Sequence, residues 1–197
     1  MISFEQGKKL IKLARDSISC SFSDSDVKVN EALKKEFSDV LGVFVTLNKG
    51  GELRGCIGFP EGVYPLYKGV IEAAKSAAFS DPRFNAVSED ELKDISVEVS
   101  VLTKPTKISV RKPEDYIKEV KVGKDGLIVR SPYGSGLLLP QVATECNWDS
   151  KTFLDNTCVK AGLAPNSWQK IREMSIYKFQ SQVFSEISPK GEVKQLM

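Results

Sequence analysis

The residues of this chain best suited to chemistry are an arginine and a cysteine one glycine apart: Arg54 and Cys56, in the run Leu53-Arg54-Gly55-Cys56-Ile57-Gly58. If Glu52 to Gly58 is a strand, its side chains alternate, so Leu53, Gly55 and Ile57 share one face and Arg54 and Cys56 the other. Residues two apart on one face stand about 7 Å apart, within reach of a flexible guanidinium. An adjacent cation favours the thiolate, the nucleophilic form of cysteine. Gly55 and Gly58 remove bulk on either side and let a ligand or another backbone approach. The pattern marks Cys56 as a candidate nucleophile and Arg54 as a candidate clamp for an anionic or carbonyl-bearing ligand. A small buried cysteine beside a structural ion pair is the plainer reading of the same residues.

Three further positions could join this pair. Glu98 lies between Ser96 and Ser100 in a segment whose Ile95, Val97, Val99 and Val101 alternate with polar residues. Taken alone it is a solvated face; as a neighbour of the Glu52–Gly58 strand it could pair with Arg54 or move protons. Asp81 and Arg83, just past an alanine-rich helix, would add charge at the same rim, although Asp81-Pro82 is also helix-stop chemistry. Gln141, after Pro140 at a strand end, suits a cleft lining, because a buried glutamine needs partners.

What the chain lacks narrows the chemistry as much. It has no histidine, so it cannot by itself build a Ser-His-Asp triad, a Cys-His dyad or a histidine-ligated zinc site. Gly134-Ser135-Gly136 is too short for a phosphate loop and no Walker lysine follows it. No cofactor motif is present. Cys20, Cys56, Cys146 and Cys158 form no Cys-x-x-Cys pair and read as free thiols, with Cys20, Cys146 and Cys158 packed in the core. A formal charge of +2 on 197 residues gives no bulk basicity of the nucleic-acid-binding kind. No apolar run approaches the ~20 residues that span a bilayer, and the amino terminus meets lysines instead of a signal-peptide core. These features place the chain in the cytoplasm.

The elements that must position the candidates follow from periodicity. Ser3 with Gln6 is a capping box opening a helix to about Ser19, and Glu31 to Phe37 reads as a shorter helix. Val43 to Leu47 and Glu52 to Ile57 flank Asn48-Lys49-Gly50-Gly51 and make a hairpin. Leu66 to Phe79 is helical, its Ala73, Ala74, Ala77 and Ala78 permitting close packing. Ser88 with Glu91 is a second capping box, and Ile95 to Leu102 a half-buried strand. Pro113 to Val120 is helical, Leu127 to Val129 and Leu137 to Leu139 are extended with a loose turn over Ser131 to Gly136, and Asp149 caps a helix ending at Gly162. Ile176 to Phe184 is a late strand before a frayed tail. Strands and helices mix without βαβ alternation, which predicts a single α+β domain with a mainly antiparallel sheet flanked by helices. Thr103 to Pro113 is the best place for a crossing into a smaller lobe.

The hexapeptide Leu53–Gly58 resembles the one by which the AMMECR family (the AMME-syndrome candidate-region proteins) is recognised. The likeness continues in order through Ala77-Ala78-Phe79, Asp81-Pro82-Arg83-Phe84, Val97 to Leu102, Gly126 to Val129, Leu137 to Ala143, Trp148-Asp149 and Lys160 to Leu163. The resemblance implies a two-lobed α+β fold with the hexapeptide at the groove between lobes, MEMO-like and radical-SAM proteins as partners, and a role in modifying RNA or another macromolecule. It supplies no catalytic residue. Three functions stand open at this level. One is a cleft enzyme of RNA or protein modification built on Cys56 and Arg54. The second is a non-enzymatic adaptor binding a MEMO-like or radical-SAM protein. The third is RNA binding through Arg54, Lys104, Lys107, Arg111 and Lys112.

Overall fold

The computed structural model describes residues 2–196. In chain order its elements are α1 (Phe4–Ser21), α2 (Glu31–Glu36), β1 (Gly42–Lys49), β2 (Glu52–Phe59), α3 (Leu66–Phe79), β3 (Ile95–Leu102), β4 (Thr106–Lys107), α4 (Glu114–Glu119), β5 (Asp125–Ser131), β6 (Gly134–Leu138), α5 (Pro140–Glu145), α6 (Ser150–Lys160), β7 (Ser175–Glu186) and β8 (Val193–Gln195). Short 3-10 turns cover Glu91–Asp94 and Ser167–Gln169. The pairs β1–β2, β1–β3, β4–β7, β5–β6, β5–β7 and β7–β8 are all antiparallel, so the protein is α+β with an antiparallel sheet flanked by helices.

The chain forms two compact units, one built from the residues up to Leu102 together with those from Gln182 onward, the other from Thr103 to Ser181. The first boundary falls where proline and lysine interrupt the alternation of β3. The second falls inside β7, where continuous strand patterning leaves no mark in the sequence.

In the first unit the strand order is β2-β1-β3 and then the carboxy-terminal half of β7. Val43, Val45 and Leu47 of β1 and Val97, Val99 and Val101 of β3 share a face with Leu10, Ala14, Ile18 and the four alanines of α3 in one core. The alternation that put these valines on one side is the same alternation that leaves Phe44, Thr46, Glu98 and Ser100 on the other. α1 starts at Ser3, whose Oγ accepts from the Gln6 N–H while the Gln6 side chain accepts from Ser3 N–H. Arg15 is buried in this unit. Its guanidinium forks onto Glu186, donates to the carbonyls of Leu92 and Ile95, and leaves Glu186 to accept from Val97 N–H at 3.0 Å.

In the second unit β4 and β5 flank the amino-terminal half of β7, and β6 follows β5. Leu127, Val129 and Ile176 pack with Phe153, Leu154 and Trp168. The Asp149 side chain caps α6 by accepting from Thr152 N–H at 2.7 Å, and Gly162 follows its end with φ +76°.

Several expectations need correcting. Ser131 to Gly136 is no loose turn: β5 and β6 meet in a tight hairpin, and a Cβ at Gly134 or Gly136 would overlap the Ala161 backbone. Those glycines are strand residues beneath the end of α6. The tail after Glu186 is not frayed, because Val193–Gln195 pairs with Phe184–Glu186. Cys146 is exposed instead of packed, Cys20 is half-buried, and Cys158 is buried; burial raises the Cys158 thiol to about 11.

Candidate functional site

The geometry of the hexapeptide is set by the hairpin that carries it. Gly50 and Gly51, at φ +60° and +88°, form a two-residue loop that only glycine adopts without strain at both positions. Lys49 pairs with Glu52 and Asn48 with Leu53, but Leu47 then pairs with Gly55. Arg54 is therefore an extra residue, a β-bulge. Strict alternation predicted Leu53 on the face of Gly55 and Ile57. The bulge instead puts Leu53 opposite Asn48, 41% exposed, and resets the strand so that Cys56 faces Thr46. Without the bulge, counting back from the turn would set Cys56 against Val45, on the core side.

Thr46 is opposite Cys56 on one side and Glu98 on the other. Directly opposed residues share a sheet face, so Cys56, Thr46 and Glu98 form a row across three strands. The Thr46 hydroxyl donates to Cys56 Sγ at 3.2 Å. β1 lies between β2 and β3, so the expected neighbourhood of Glu98 and Arg54 does not exist. Nor is Glu98 a solvated side chain: it is half-buried, Ser100 beside it is buried, and burial raises the Glu98 carboxyl while the Lys194 ammonium opposes that rise.

Asp81 and Arg83 hold the Cys56 peptide. Asp81 Oδ2 accepts from Cys56 N–H at 2.9 Å, and Arg83 Nη2 donates to Cys56 O at 3.2 Å. The two side chains also join each other, Arg83 Nε to Asp81 Oδ1 at 3.0 Å and Nη2 to Oδ2 at 2.7 Å. Asp81 is buried, yet hydrogen bonds from Arg83 and the Cys56 amide hold its carboxyl well below the usual range. Arg83 is raised, chiefly by its hydrogen bonds to Asp81. Its side chain is 53% exposed.

Arg54, the expected partner of the thiol, turns elsewhere. Its Nε and Nη2 each donate to a Glu91 oxygen at 2.9 Å, and Lys49 adds a third bond at 3.0 Å. These hydrogen bonds, Arg54's first, depress Glu91 to about 2. Ser88 and Glu91 consequently do not form the reciprocal capping box; Ser88 Oγ accepts from Glu91 N–H at 3.3 Å, but the Glu91 carboxylate is committed to Arg54. The Phe84 ring lies beside both guanidinium groups, 5.8 Å from that of Arg54 and 5.5 Å from that of Arg83. A fork already closed on a carboxylate is a poor anion clamp. The cation beside Cys56 is Arg83.

The glycines serve packing. A Cβ at Gly55 would overlap the Ala77 carbonyl of α3, and one at Gly58 would overlap the Val43 carbonyl and Phe44. Gln141 lies in the second unit, on α5, with a buried Oε1 that accepts no hydrogen bond among the described residues. Lys104, Lys107, Arg111 and Lys112 are exposed in that unit, and Arg54 belongs to the other. Among the described residues no three His, Cys, Asp or Glu side chains gather as a metal site, and no helix is long and apolar enough to cross a membrane.

Sequence reasoning missed Thr46 and Glu91. Thr46 was discoverable, as the one hydroxyl in a strand otherwise alternating Val-Phe-Val with Leu. The bulge that aims Cys56 at it leaves no composition signal, and Glu91 was assigned to a cap.

The AMMECR1 family model matches residues 11–184. A protein of Methanothermobacter thermautotrophicus is 50% identical over 94% of this chain and 96% of its own length. One from Methanocaldococcus jannaschii is 41% identical over 98% and 96%. The crystal structure of the uncharacterized protein PH0010 from Pyrococcus horikoshii superposes with a TM-score of 0.87 at 42% identity, covering 98% of both chains. With the family model matching residues 11–184 and a relative 50% identical over 94% of its length, this chain belongs to the AMMECR1 family.

Proposed function

We propose that the protein is a covalent group-transfer enzyme acting on a protein or RNA substrate, with Cys56 as nucleophile. The observation that carries this reading is the row Cys56–Thr46–Glu98, in which a thiol, a hydroxyl donor and a carboxyl of raised proton affinity stand in cross-strand register. In acyl transfer the Cys56 thiolate attacks the carbonyl carbon and a thioester forms. The leaving group takes a proton from Glu98, which burial keeps protonated nearer to neutral pH than an ordinary carboxyl. An acceptor amine or hydroxyl then attacks the thioester, returns its proton to the carboxylate and frees the thiolate. Thr46, on the strand between Cys56 and Glu98, stands midway along the ~10 Å that two strand spacings impose and donates to the sulfur. Neither arginine is a free anion clamp: Arg54 is closed on Glu91, and Arg83, closed on Asp81, positions the nucleophile by holding the Cys56 carbonyl.

The test is site-resolved alkylation with iodoacetamide, followed by mass spectrometry. Cys56, though half-buried, reacts about ten-fold faster than the exposed Cys146 at neutral pH, and Glu98→Gln alters the pH profile of that rate. Slower alkylation of Cys56 than of Cys146, with a Glu98→Gln profile identical to wild type, removes the nucleophile from the reading.

A further inference from the structure

The second unit carries a cation-lined cleft of about 310 Å³ whose walls include Lys107, Arg130, Arg172 and Met174. The strand register explains why the cations converge. Lys107 of β4 lies opposite Tyr177 of β7, and Arg130 of β5 lies opposite Ser175. Tyr177 and Ser175 are two residues apart on one strand, so both cations stand on a single sheet face. The Arg130 guanidinium sits 4.8 Å from the Tyr177 ring centroid, a cation–π contact that limits its freedom. Among the described residues no ion pair engages Lys107 or Arg172, and Glu173, the acid in the lining, has Lys170 at 3.9 Å.

A second hollow, of about 50 Å³, adjoins the first through shared Ser131, Glu173 and Met174, and is walled by Tyr133 and Leu163. Tyr133 is 84% exposed. Its backbone is pinned at the β5–β6 hairpin tip, where Ser131 Oγ accepts from Tyr133 N–H at 3.1 Å and donates to Gly134 O at 3.2 Å. A large aromatic ring kept in water on a fixed tip, next to two unneutralised cations, has no role in the core of this unit.

The geometry points to a ligand site for a phosphorylated molecule bearing a flat ring, of the nucleoside monophosphate class. Lys107 and Arg172 take the phosphoryl oxygens, with Arg130 fixed beside them, and Tyr133 stacks on the ring. Charge-assisted bonds to a phosphoryl group and ring stacking are the two interactions such residues make best. The site lies in the second unit and does not depend on the chemistry assigned to Cys56.

The experiment is calorimetric titration of the full chain with AMP, and with adenosine, at low ionic strength. AMP binds, adenosine binds more weakly, and Lys107→Gln, Arg172→Gln and Tyr133→Ala each weaken AMP about ten-fold, or ~1.4 kcal/mol. All three side chains are at the surface of the cleft, so the fold survives, and Cys56→Ser binds AMP as wild type does. No AMP binding at about 5 mM, adenosine binding as tightly as AMP, or three variants with unchanged affinity would each overturn the assignment.

Discussion

Replacing Glu91 by glutamine tests the reading of Arg54 as a structural residue, because it keeps the shape of the fork and removes its charge. The Glu91 carboxyl falls from its ordinary 4.5 to about 2, first through the hydrogen bonds of Arg54 and then through Lys49. At ~1.4 kcal/mol per unit, this depression corresponds to about 3 kcal/mol of stability carried by the ionised group. The carboxylate side chain is 17% exposed but Lys49 is 45% exposed, and water at that rim screens the pair, so the expected loss at pH 7 is about 2 kcal/mol. The sign follows from a folded-state affinity for protons lower than that of the unfolded chain. The contribution is complete above about pH 4.5 and disappears as pH falls through about 2. Urea unfolding of wild type and Glu91→Gln at pH 7 and pH 3 reads this directly: the gap between the two proteins shrinks by more than half at the lower pH. A gap that is equal at both pH values, or below about 0.5 kcal/mol at pH 7, would show that Arg54 does not depend on Glu91 and would return it to the candidate anion clamps.

Two further perturbations probe the frame around the site. Arg15→Ala leaves the Glu186 carboxylate buried without its guanidinium and strips donors from the Leu92 and Ile95 carbonyls; chemical denaturation should show a loss of about 3–5 kcal/mol. Gly55→Ala forces a methyl onto the Ala77 carbonyl, which backbone cannot yield as a side-chain tip would. A loss of about 1–3 kcal/mol or more in thermal unfolding is expected, with no gain in alkylation at Cys56 if the glycine serves helix packing and not ligand access.

Much of the scaffold was legible because it rests on local rules. The Ser3–Gln6 box, the Asp149 cap and the paired glycines at residues 50 and 51 each do what their chemistry dictates. Valine alternation put Val97, Val99 and Val101 on the core side and Glu98 on the other, as found. The site was legible only in part, and the reason is the bulge. One extra residue at Arg54 changes which side chains meet across the hairpin, and nothing in the residue types of Leu53–Gly58 marks it. The order of strands was equally hidden: β3 pairs with β1 and not with β2, so Glu98 meets Thr46. Competition for partners explains the remaining difference, since Glu91 had two local uses, a cap and a fork, and the charged partner won.

The Asp81–Arg83 couple has a consequence for association. β2 is the outermost strand of its sheet, and such a strand offers unpaired amides and carbonyls to any extended peptide that docks alongside. At Cys56 that offer is already taken: a carboxylate occupies the amide and a guanidinium the carbonyl, imitating the missing neighbour strand with side chains. A peptide adding itself there would have to unseat a buried, ionised carboxylate from its cation first. Strand addition is thus disfavoured at this point of the hexapeptide, on an edge that side chains have already closed.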